Sequence, residues 1–114
     1  MLVVKKCKYG RGVFTTKDLR AGRVIIVNHL LLLTADDRAD SLLLRRYDFG
    51  FESNGSGIAL GIASLMNHST RPNADFDTEY NSDGLPIVFV RTIKPIKKGS
   101  QILVDYGYNP EEIE

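Results

Sequence analysis

Turn-forming residues divide this chain into short segments, and this division limits the possible fold more than any other sequence feature. The longest apolar run, RVIIVNHLLLL at 23–33, is interrupted by Asn28 and His29. It is far shorter than the roughly 20 residues that cross a bilayer. Short segments rich in β-branched residues and bounded by glycine, proline, asparagine or aspartate are typical of strands. The pattern therefore predicts a mostly β protein with short helices.

Six segments are predicted to form strands. They are LVVKK at 2–6, GVFTT at 12–16, RVIIVNHLLLL at 23–33, ADFDTEY at 74–80, LPIVFVRTI at 85–93 and SQILVDYG at 100–107. The third is either one long strand or two strands with a bend at Asn28. The turn NSDG, of the Asp-Gly type, joins the fourth to the fifth. In the last segment Ile102, Val104 and Tyr106 alternate, so we expect them to share one face.

Two segments carry helical signals. TADDRADSLLLRRY at 34–47 begins with Thr34 and Asp36 and has two arginines near its end, which suits a helix start and the helix dipole. It predicts a short helix. GIALGIASLM at 57–66 places apolar residues at helical spacing, but each of its two glycines weakens a helix by about 1 kcal/mol relative to alanine. A strand followed by a single helical turn is equally allowed there.

Composition indicates a soluble globular protein with a single core. The 114 residues are 43% hydrophobic and 25% charged, within the usual range of one domain. We expect one domain over residues 1–114, with a core from about 4 to 108 and a tail at 109–114. The net charge of +1 and the dispersed basic residues give no reason to expect nucleic-acid binding.

The single cysteine and the N-terminus indicate the compartment. Cys7 alone can form neither an internal disulfide nor a cluster of zinc-binding thiolates, which fits a reducing environment. The N-terminal MLVVKKCKYG lacks the order of a secretory signal. We therefore expect an intracellular protein that is not bound to membranes, located in the cytoplasm, or in a host nucleus if the protein is viral or a secreted effector.

In SLMNHSTRPN at 64–73, several polar residues follow directly after an apolar segment that ends at Met66. An unpaired buried polar group would cost about 1 to 3 kcal/mol, so these side chains need partners, and backbone groups alone could supply them. His68 and Ser69 are adjacent, which rarely gives a nucleophile and base in working geometry, and no G-x-S-x-G elbow surrounds any serine. Two histidines cannot make a three-histidine metal site. The sequence therefore predicts no metal centre.

Four motifs stand in a distinctive order along the chain. They are Gly10-Arg11-Gly12, Tyr47 in YDF, the segment NHSTRPN at 67–73, and GSQILVDYG at 99–107. Together they resemble the SET-domain lysine methyltransferases, which begin with a G-x-G turn, carry N-H-S-C-x-P-N and end in a strand of the form E-L-x-x-D-Y. The resemblance covers about residues 4–108, and the third motif is highly specific. The length is closest to the stand-alone SET domains of viruses and bacteria.

The resemblance implies a fold, a cofactor and a set of site residues. The fold would consist of small curved β-sheets, with the C-terminal segment threaded beside the NHS segment in a knot-like arrangement. S-adenosylmethionine would bind on one side of a channel, and the substrate lysine would enter from the other side. The implied cofactor-binding residues are Arg11, Gly12, Tyr47, Asn67, His68 and Tyr106, with Tyr106 as the catalytic tyrosine. The implied substrate channel is lined by Tyr47, Tyr106 and Tyr108, while Asn73 and Asp105 support the knot.

The implied reaction suits these residue types. Methyl transfer to an amine is an in-line displacement, and alignment of the reacting groups can supply roughly 7 to 11 kcal/mol. Neutralising a lysine of pKa about 10.4 at pH 7 costs roughly 4.6 kcal/mol. A sulfonium about 4 Å away would disfavour the ammonium by about 4 kcal/mol at an effective dielectric of 20. Tyr106 would therefore orient the amine and need not be a strong base.

The chain also departs from the family pattern. Thr70 replaces a cysteine and Gln101 replaces a glutamate, and both are expected to be tolerated structural positions. The C-terminal YNPEEIE at 108–114 lacks the cysteine-rich zinc segment that closes the lysine channel in some members. Tyr108, a partner or a second subunit would have to cover the channel, so a homodimer is possible.

Two hypotheses about function follow. The first is a protein-lysine methyltransferase that acts on a histone or another basic protein. The second is a catalytically weak SET-like module that binds a protein or the cofactor. Acidic residues at 36, 37, 40, 75, 77 and 79 either attract a basic peptide or form ordinary solvated surface.

Overall fold

Strands dominate the architecture of residues 1–8, 10–52 and 55–107, which a computed structural model of the chain describes. In chain order the elements are β1 (Leu2–Cys7), β2 (Gly10–Thr15), β3 (Val24–Leu33), α1 (Ala35–Ala39), α2 (Leu42–Tyr47), β4 (Asp48–Phe51), β5 (Gly55–Ala59), a 3₁₀ helix (Ile62–Leu65), β6 (Asn67–His68), β7 (Ala74–Tyr80), β8 (Pro86–Thr92) and β9 (Leu103–Val104). The predicted mostly β fold with short helices is confirmed. None of the helices in these ranges is long and apolar enough to span a membrane.

An N-terminal hairpin contains the first glycine motif. Strands β1 and β2 pair antiparallel, with Cys7 opposite Gly10 and Lys5 opposite Gly12. Gly10 has φ of 101°, in the left-handed region where glycine alone avoids a steric penalty. Gly10, Arg11 and Gly12 all belong to strand β2, which begins two residues earlier than predicted, so the turn expected at the G-x-G motif is wrong for these three residues. Tyr9 lies outside the described residues.

The central sheet has the strand order β4-β5-β3-β8-β7, and each neighbouring pair is antiparallel. Strand β3 changes partner along its length, because its residues up to His29 pair with β8 and those from Leu30 onward pair with β5. The segment 23–33 is therefore one continuous strand, which was one of the two predicted possibilities. The short strand β4 was not predicted.

The sheet curls until its two edge strands approach each other. The rings of Phe49 on β4 and Phe76 on β7 meet edge to face, with centroids 5.0 Å apart. The Thr78 hydroxyl on β7 donates a hydrogen bond of 2.8 Å to the Gly50 carbonyl oxygen on β4. Since β4 and β7 are opposite edges in the strand order, these contacts show that the concave face encloses the core.

The C-terminal segment packs into this core, as the alternation of its apolar residues predicted. Ile102 and Val104 are buried, and Tyr106 packs against the core cluster. The regular strand there is much shorter than predicted because its backbone groups have different partners. The Ile102 N–H donates to the Val13 carbonyl oxygen at 2.7 Å, while the Leu103 N–H donates to Asn73 Oδ1 at 2.9 Å. No single neighbouring strand runs along the whole segment.

Local side-chain chemistry sets the helical boundaries. The predicted helix at 34–47 is two helices, because Ser41 caps α2 by accepting the Leu44 N–H at 3.1 Å. Thr34 caps α1 in a capping box with Asp37. The segment at 57–66 continues β5 and ends in the 3₁₀ helix, which confirms the strand followed by one helical turn.

Candidate functional site

Two polar motifs far apart in sequence lie side by side in the fold. Strands β6 and β9 pair in parallel, with Asn67 opposite Leu103 and His68 opposite Val104. The Ser69 N–H extends this contact by donating to the Val104 carbonyl oxygen at 2.9 Å. The NHS segment therefore lies directly against the C-terminal segment, and the knot-like threading remains a prediction.

Asn73, the last residue of the NHSTRPN motif, also links the NHS segment to the C-terminal segment. Its Nδ2 donates to the Gln101 carbonyl oxygen at 2.8 Å, and its Oδ1 accepts the Leu103 N–H at 2.9 Å. The side chain thus satisfies backbone groups that have no ladder partner. These contacts support the structural role predicted for Asn73.

Tyr106 is held by its backbone and by its hydroxyl. Its N–H donates to Nδ1 of His68 at 3.0 Å, and its hydroxyl donates to the Met66 carbonyl oxygen at 2.5 Å. The rings of Tyr106 and His68 lie with centroids 5.0 Å apart. In this contact Nδ1 of His68 is the acceptor of the Tyr106 N–H. The Tyr106 hydroxyl consequently has a defined position at the end of the short β6–β9 pair.

A pocket of about 330 Å³ opens beside Tyr106. It brings together Tyr47 at the end of α2 and Tyr106 after β9, as expected for a shared channel. Tyr108, the third predicted channel residue, lies outside the described residues. The lining residues are Arg38, Arg46, Tyr47, Asp48, Phe49, Gly50, Gly55, Ser56, Ala63, Ser64, Met66, Phe76, Val104 and Tyr106.

Sequence reasoning missed the aromatic wall of this pocket. Phe49 and Phe76 belong to opposite edges of the central sheet, and only the curl of that sheet brings their rings together. The YDF motif indicated Tyr47 but gave no reason to select Phe49. A periodicity signal within one segment cannot identify a contact of this kind.

An ion pair crosses part of the pocket lining. Nε of Arg38 on α1 lies 2.5 Å from Oδ2 of Asp48, whose side chain is only 6% exposed while that of Arg38 is 47% exposed. Removing Arg38 would leave the buried carboxylate of Asp48 without this partner, although the exposure of Arg38 lets solvent weaken the pair. The pair therefore ties the otherwise exposed helix α1 to the start of β4.

A second group of predicted residues meets at the hairpin. Nδ2 of Asn67 donates to Oε1 of Gln101 at 2.6 Å and to the Arg11 carbonyl oxygen at 3.0 Å. It also lies 3.5 Å from Sγ of Cys7. A Cβ atom on Gly12 would lie 2.3 Å from Oε1 of Gln101 and 2.9 Å from Nδ2 of Asn67. A side chain at position 12 would therefore displace the ends of the Gln101 and Asn67 side chains, so glycine is favoured there by close approach and not by a positive φ.

The predicted site residues therefore form two neighbouring groups. Arg11, Gly12 and Asn67 meet at the hairpin, whereas Tyr47 and Tyr106 line the pocket. His68 connects the groups, since it follows Asn67 in the chain and accepts the Tyr106 N–H. The contact between Gln101 and Asn67 was not predicted from the sequence, where Gln101 was expected only to be a tolerated replacement.

Potential metal ligands are dispersed in the described ranges. In residues 1–8, 10–52 and 55–107, no group of three or more His, Cys, Asp or Glu side chains could hold a metal ion. The hydrogen-bonding groups of the site are instead amides, hydroxyls, carbonyl oxygens and one imidazole.

Comparison with known proteins relates this arrangement to one family. The family model described as SET domain matches residues 10–107. The chain is also 24% identical over 101 residues to a Schizosaccharomyces pombe protein named histone-lysine N-methyltransferase, H3 lysine-37 specific. That alignment covers 86% of this chain and 67% of the yeast protein.

Solved structures with the same fold include two proteins of distant organisms. A Plasmodium falciparum protein described as a candidate histone methyltransferase superposes with a TM-score of 0.81 at 24% identity, covering 96% of this chain and 99% of that chain. The Polycomb Repressive Complex 2 of Chaetomium thermophilum superposes with a TM-score of 0.78 at 23% identity, covering 99% of this chain and 16% of that chain. The curled sheets seen here are those of these structures.

Proposed function

The chain belongs to the SET-domain family, and we propose that it transfers a methyl group from S-adenosylmethionine to the side-chain amine of a lysine in a protein. The observation that carries the proposal is that Tyr47 and Tyr106 line one pocket. Tyr106 also lies next to the parallel pair that joins the NHS segment to the C-terminal segment. Lysine methyl transfer is supported at the level of the family and of the yeast relative.

The residues present fit this cofactor. A sulfonium is a cation, and aromatic faces and carbonyl oxygens favour a positive charge. The pocket supplies Tyr47, Phe49, Phe76 and Tyr106 as aromatic lining and contains Met66, whose carbonyl oxygen bonds the Tyr106 hydroxyl. When bound, S-adenosylmethionine would supply an electrophilic methyl group on positively charged sulfur.

The cofactor would be held where the two groups of site residues meet. We assign its binding to backbone around Arg11 and Gly12 and to Asn67 and His68, with Tyr47 and Tyr106 on the pocket side. Asn67 and His68 are both half-buried, so they can contact a ligand while remaining fixed to protein partners. The contacts of Asn67 with Gln101 and Arg11 would hold the hairpin in position for binding.

The pocket lining suits the side chain of a lysine. Phe49, Phe76 and Val104 provide apolar surface, and burying each methylene of a lysine stem contributes about 0.8 kcal/mol. The hydroxyl of Tyr106 donates its proton to Met66, so its oxygen would act towards the amine as an acceptor. Such a contact orients a neutral amine and does not require Tyr106 to lose a proton.

Histones are the proposed substrate class, together with other lysine-rich proteins. The support for histones is the name of the yeast relative, which is specific for H3 lysine 37. The relative is 24% identical, so the particular protein and lysine are part of the proposal. A screen of core histones and cell lysate would identify the methylated protein.

Isothermal titration calorimetry with S-adenosylmethionine tests the proposed cofactor. We expect saturable binding with a dissociation constant below about 1 mM, equivalent to more than roughly 4 kcal/mol of binding free energy. Asn67→Ala should weaken binding at least tenfold, whereas Asn81→Ala in the β7–β8 turn should leave it unchanged. Absence of heat and of saturation at millimolar cofactor would contradict the proposal.

A further inference from the structure

Basic and acidic residues belong to different parts of this chain. Residues 1–23 and 93–100 contain ten of its fifteen Lys and Arg residues but only one of its fourteen Asp and Glu residues, Asp18. The formal charge of these two segments is therefore +9, whereas the rest of the chain has a formal charge of −8. The net charge of +1 hides this separation because the two parts nearly cancel.

Backbone contacts bring the two basic segments together. Leu19 and Ile96 form an isolated antiparallel bridge, in which each N–H donates to the carbonyl oxygen of the other residue, at 2.7 and 2.9 Å. The loop at 16–23 therefore lies beside the loop at 93–100, although they are far apart in sequence. We call them the basic loops, and all six of their basic residues are exposed: Lys17, Arg20, Arg23, Lys94, Lys97 and Lys98.

Carboxylates neutralise little of this charge. Asp18 is the only acidic residue in the sequence of the basic loops, and its Oδ1 accepts the backbone N–H of Lys98 at 2.8 Å. Arg91, just before the second loop, lies opposite Asp75 on β7, so we do not count it with the basic loops. Six cationic side chains on two adjacent loops create a positive local potential that concentrates anions.

The remaining composition of the basic loops favours phosphate groups as the anion. Four of the six basic residues are lysines, which are depleted in protein–protein interfaces. Of the large hydrophobic residues in these loops, all of which are described, Leu19 and Ile96 are 3% exposed and Ile93 is 46% exposed. A partner protein or a lipid surface would need more apolar contact than Ile93 provides. The phosphate backbone of a nucleic acid can be bound by charge alone.

We propose that the basic loops bind the phosphate backbone of duplex DNA without sequence preference. The choice of duplex DNA rests on the proposed function, because histones are wrapped by DNA. A histone is itself basic, so the basic loops would repel it but attract the DNA that it carries. Among the described residues that line the pocket, none belongs to the basic loops. DNA and the substrate lysine would therefore contact different parts of the chain.

Fluorescence anisotropy with a labelled DNA duplex of random sequence tests the proposal on the chain without cofactor. We expect a dissociation constant of about 1 to 100 μM at physiological salt, the range of non-specific binding. The logarithm of the association constant should fall with the logarithm of salt concentration with a slope of roughly −4 to −5, since each of about five neutralised phosphates contributes about −0.9. A lack of saturable binding at low salt would overturn the proposal.

A charge-matched pair of variants tests the position of the DNA. Lys97→Gln combined with Lys98→Gln should weaken binding about tenfold or more and reduce the salt slope by about two, because two phosphate contacts are lost. Arg45→Glu changes the net charge by the same amount in α2, outside the basic loops, and should leave the slope unchanged. Circular dichroism would verify that both variants are folded. Equal weakening by the two variants would show that net charge governs binding and would overturn the assignment to the basic loops.

Competition identifies the class of partner. Unlabelled duplex DNA should displace the labelled duplex completely. Polyglutamate or phosphatidylserine vesicles that displace it more effectively, at equal concentration of negative charge, would overturn the assignment to DNA in favour of an acidic protein or a membrane.

Methylation assays separate this inference from the proposed function. The variant with Lys97→Gln and Lys98→Gln should lose roughly tenfold in activity on DNA-wrapped histones, because it binds their DNA more weakly, but should retain the wild-type rate on free histones. DNA binding without methylation of either substrate would contradict the proposed function and support the basic loops as a DNA-binding surface. Methylation of free histones by a chain that does not bind DNA would overturn only the inference about the basic loops.

Discussion

Asn67 shows how a single residue can serve the fold and the proposed reaction together. Its amide joins the Arg11 carbonyl oxygen to the side chain of Gln101, and this connects the hairpin to the C-terminal segment. Gly12 makes the arrangement possible because a side chain there would occupy the same space. Packing against Gln101 and Asn67 therefore favours glycine at position 12, in addition to the proposed approach of a cofactor.

Replacement of Gly12 by alanine should disturb this contact. The added Cβ would lie 2.3 Å from Oε1 of Gln101, so the side chains of Gln101 and Asn67 must separate and lose their hydrogen bond. Leaving such partners unsatisfied costs about 1 to 3 kcal/mol. We expect urea denaturation to show a decrease of that size in the free energy of unfolding.

Gly50→Ala is the matched control for this measurement. A Cβ at Gly50 meets no atom within 4 Å, and Gly50 is not among the described glycines with positive φ. We expect this variant to be as stable as the wild type or slightly more stable. Equal stability of the Gly12 and Gly50 variants would mean that the close approach at Gly12 has no energetic consequence.

At the scale of elements, α1 and α2 are held mainly by polar contacts at their ends. Neither helix contains a buried residue, and the ion pair between Arg38 and Asp48 ties α1 to the sheet. Both helices are also far shorter than the roughly 12 to 15 residues at which isolated helices become stable in water. Their caps should consequently control whether this side of the pocket is ordered.

The capping box of α1 predicts a local dependence on pH. The Thr34 backbone N–H, followed by its side chain, lowers the pKa of Asp37 below the ordinary value of 3.8. A carboxyl group whose pKa is lower in the folded chain than in the unfolded chain stabilises the fold at pH values above its unfolded-state pKa. This stabilisation is lost as the pH falls through the pKa of the folded state. We expect the Thr34 amide, which donates to Oδ2 of Asp37 at 2.9 Å, to lose exchange protection in that range.

Nuclear magnetic resonance can measure both the pKa of Asp37 and the exchange protection of the Thr34 amide. Asp37→Asn should remove the acid-dependent loss of Thr34 protection, whereas Asp36→Asn should retain it because the capping box is intact. An Asp37 carboxyl that titrates above 3.8 would refute this explanation of the α1 N-terminus.

At the scale of the whole molecule, features encoded within one segment could be predicted. The alternation of Ile102, Val104 and Tyr106 indicated their common face. Thr34 indicated the start of α1 because capping depends on residues a few positions apart. The apolar run of β3 also indicated a strand.

Features that depend on strand order could not be predicted from local pattern. The pocket exists because β4 and β7 meet after the sheet curls, which brings Phe49 to Phe76. No periodicity within β4 or β7 specifies this contact between the two strands. The pairing of Asn67 with Leu103 was similarly accessible only through the family resemblance, since a two-residue parallel contact has too few residues to leave a pattern.

The most direct test of the account is transfer of labelled methyl from S-adenosylmethionine to lysine in core histones or cell lysate, with the wild type compared with Tyr106→Phe. We predict transfer by the wild type and a 10- to 100-fold lower kcat in the variant, equivalent to roughly 1.4 to 2.7 kcal/mol, with an unchanged KM for the cofactor. Tyr80→Phe, outside the pocket, should retain the wild-type rate. Cofactor binding without transfer would contradict the enzyme and favour a binding module, and an unchanged rate in Tyr106→Phe would contradict the role of that hydroxyl.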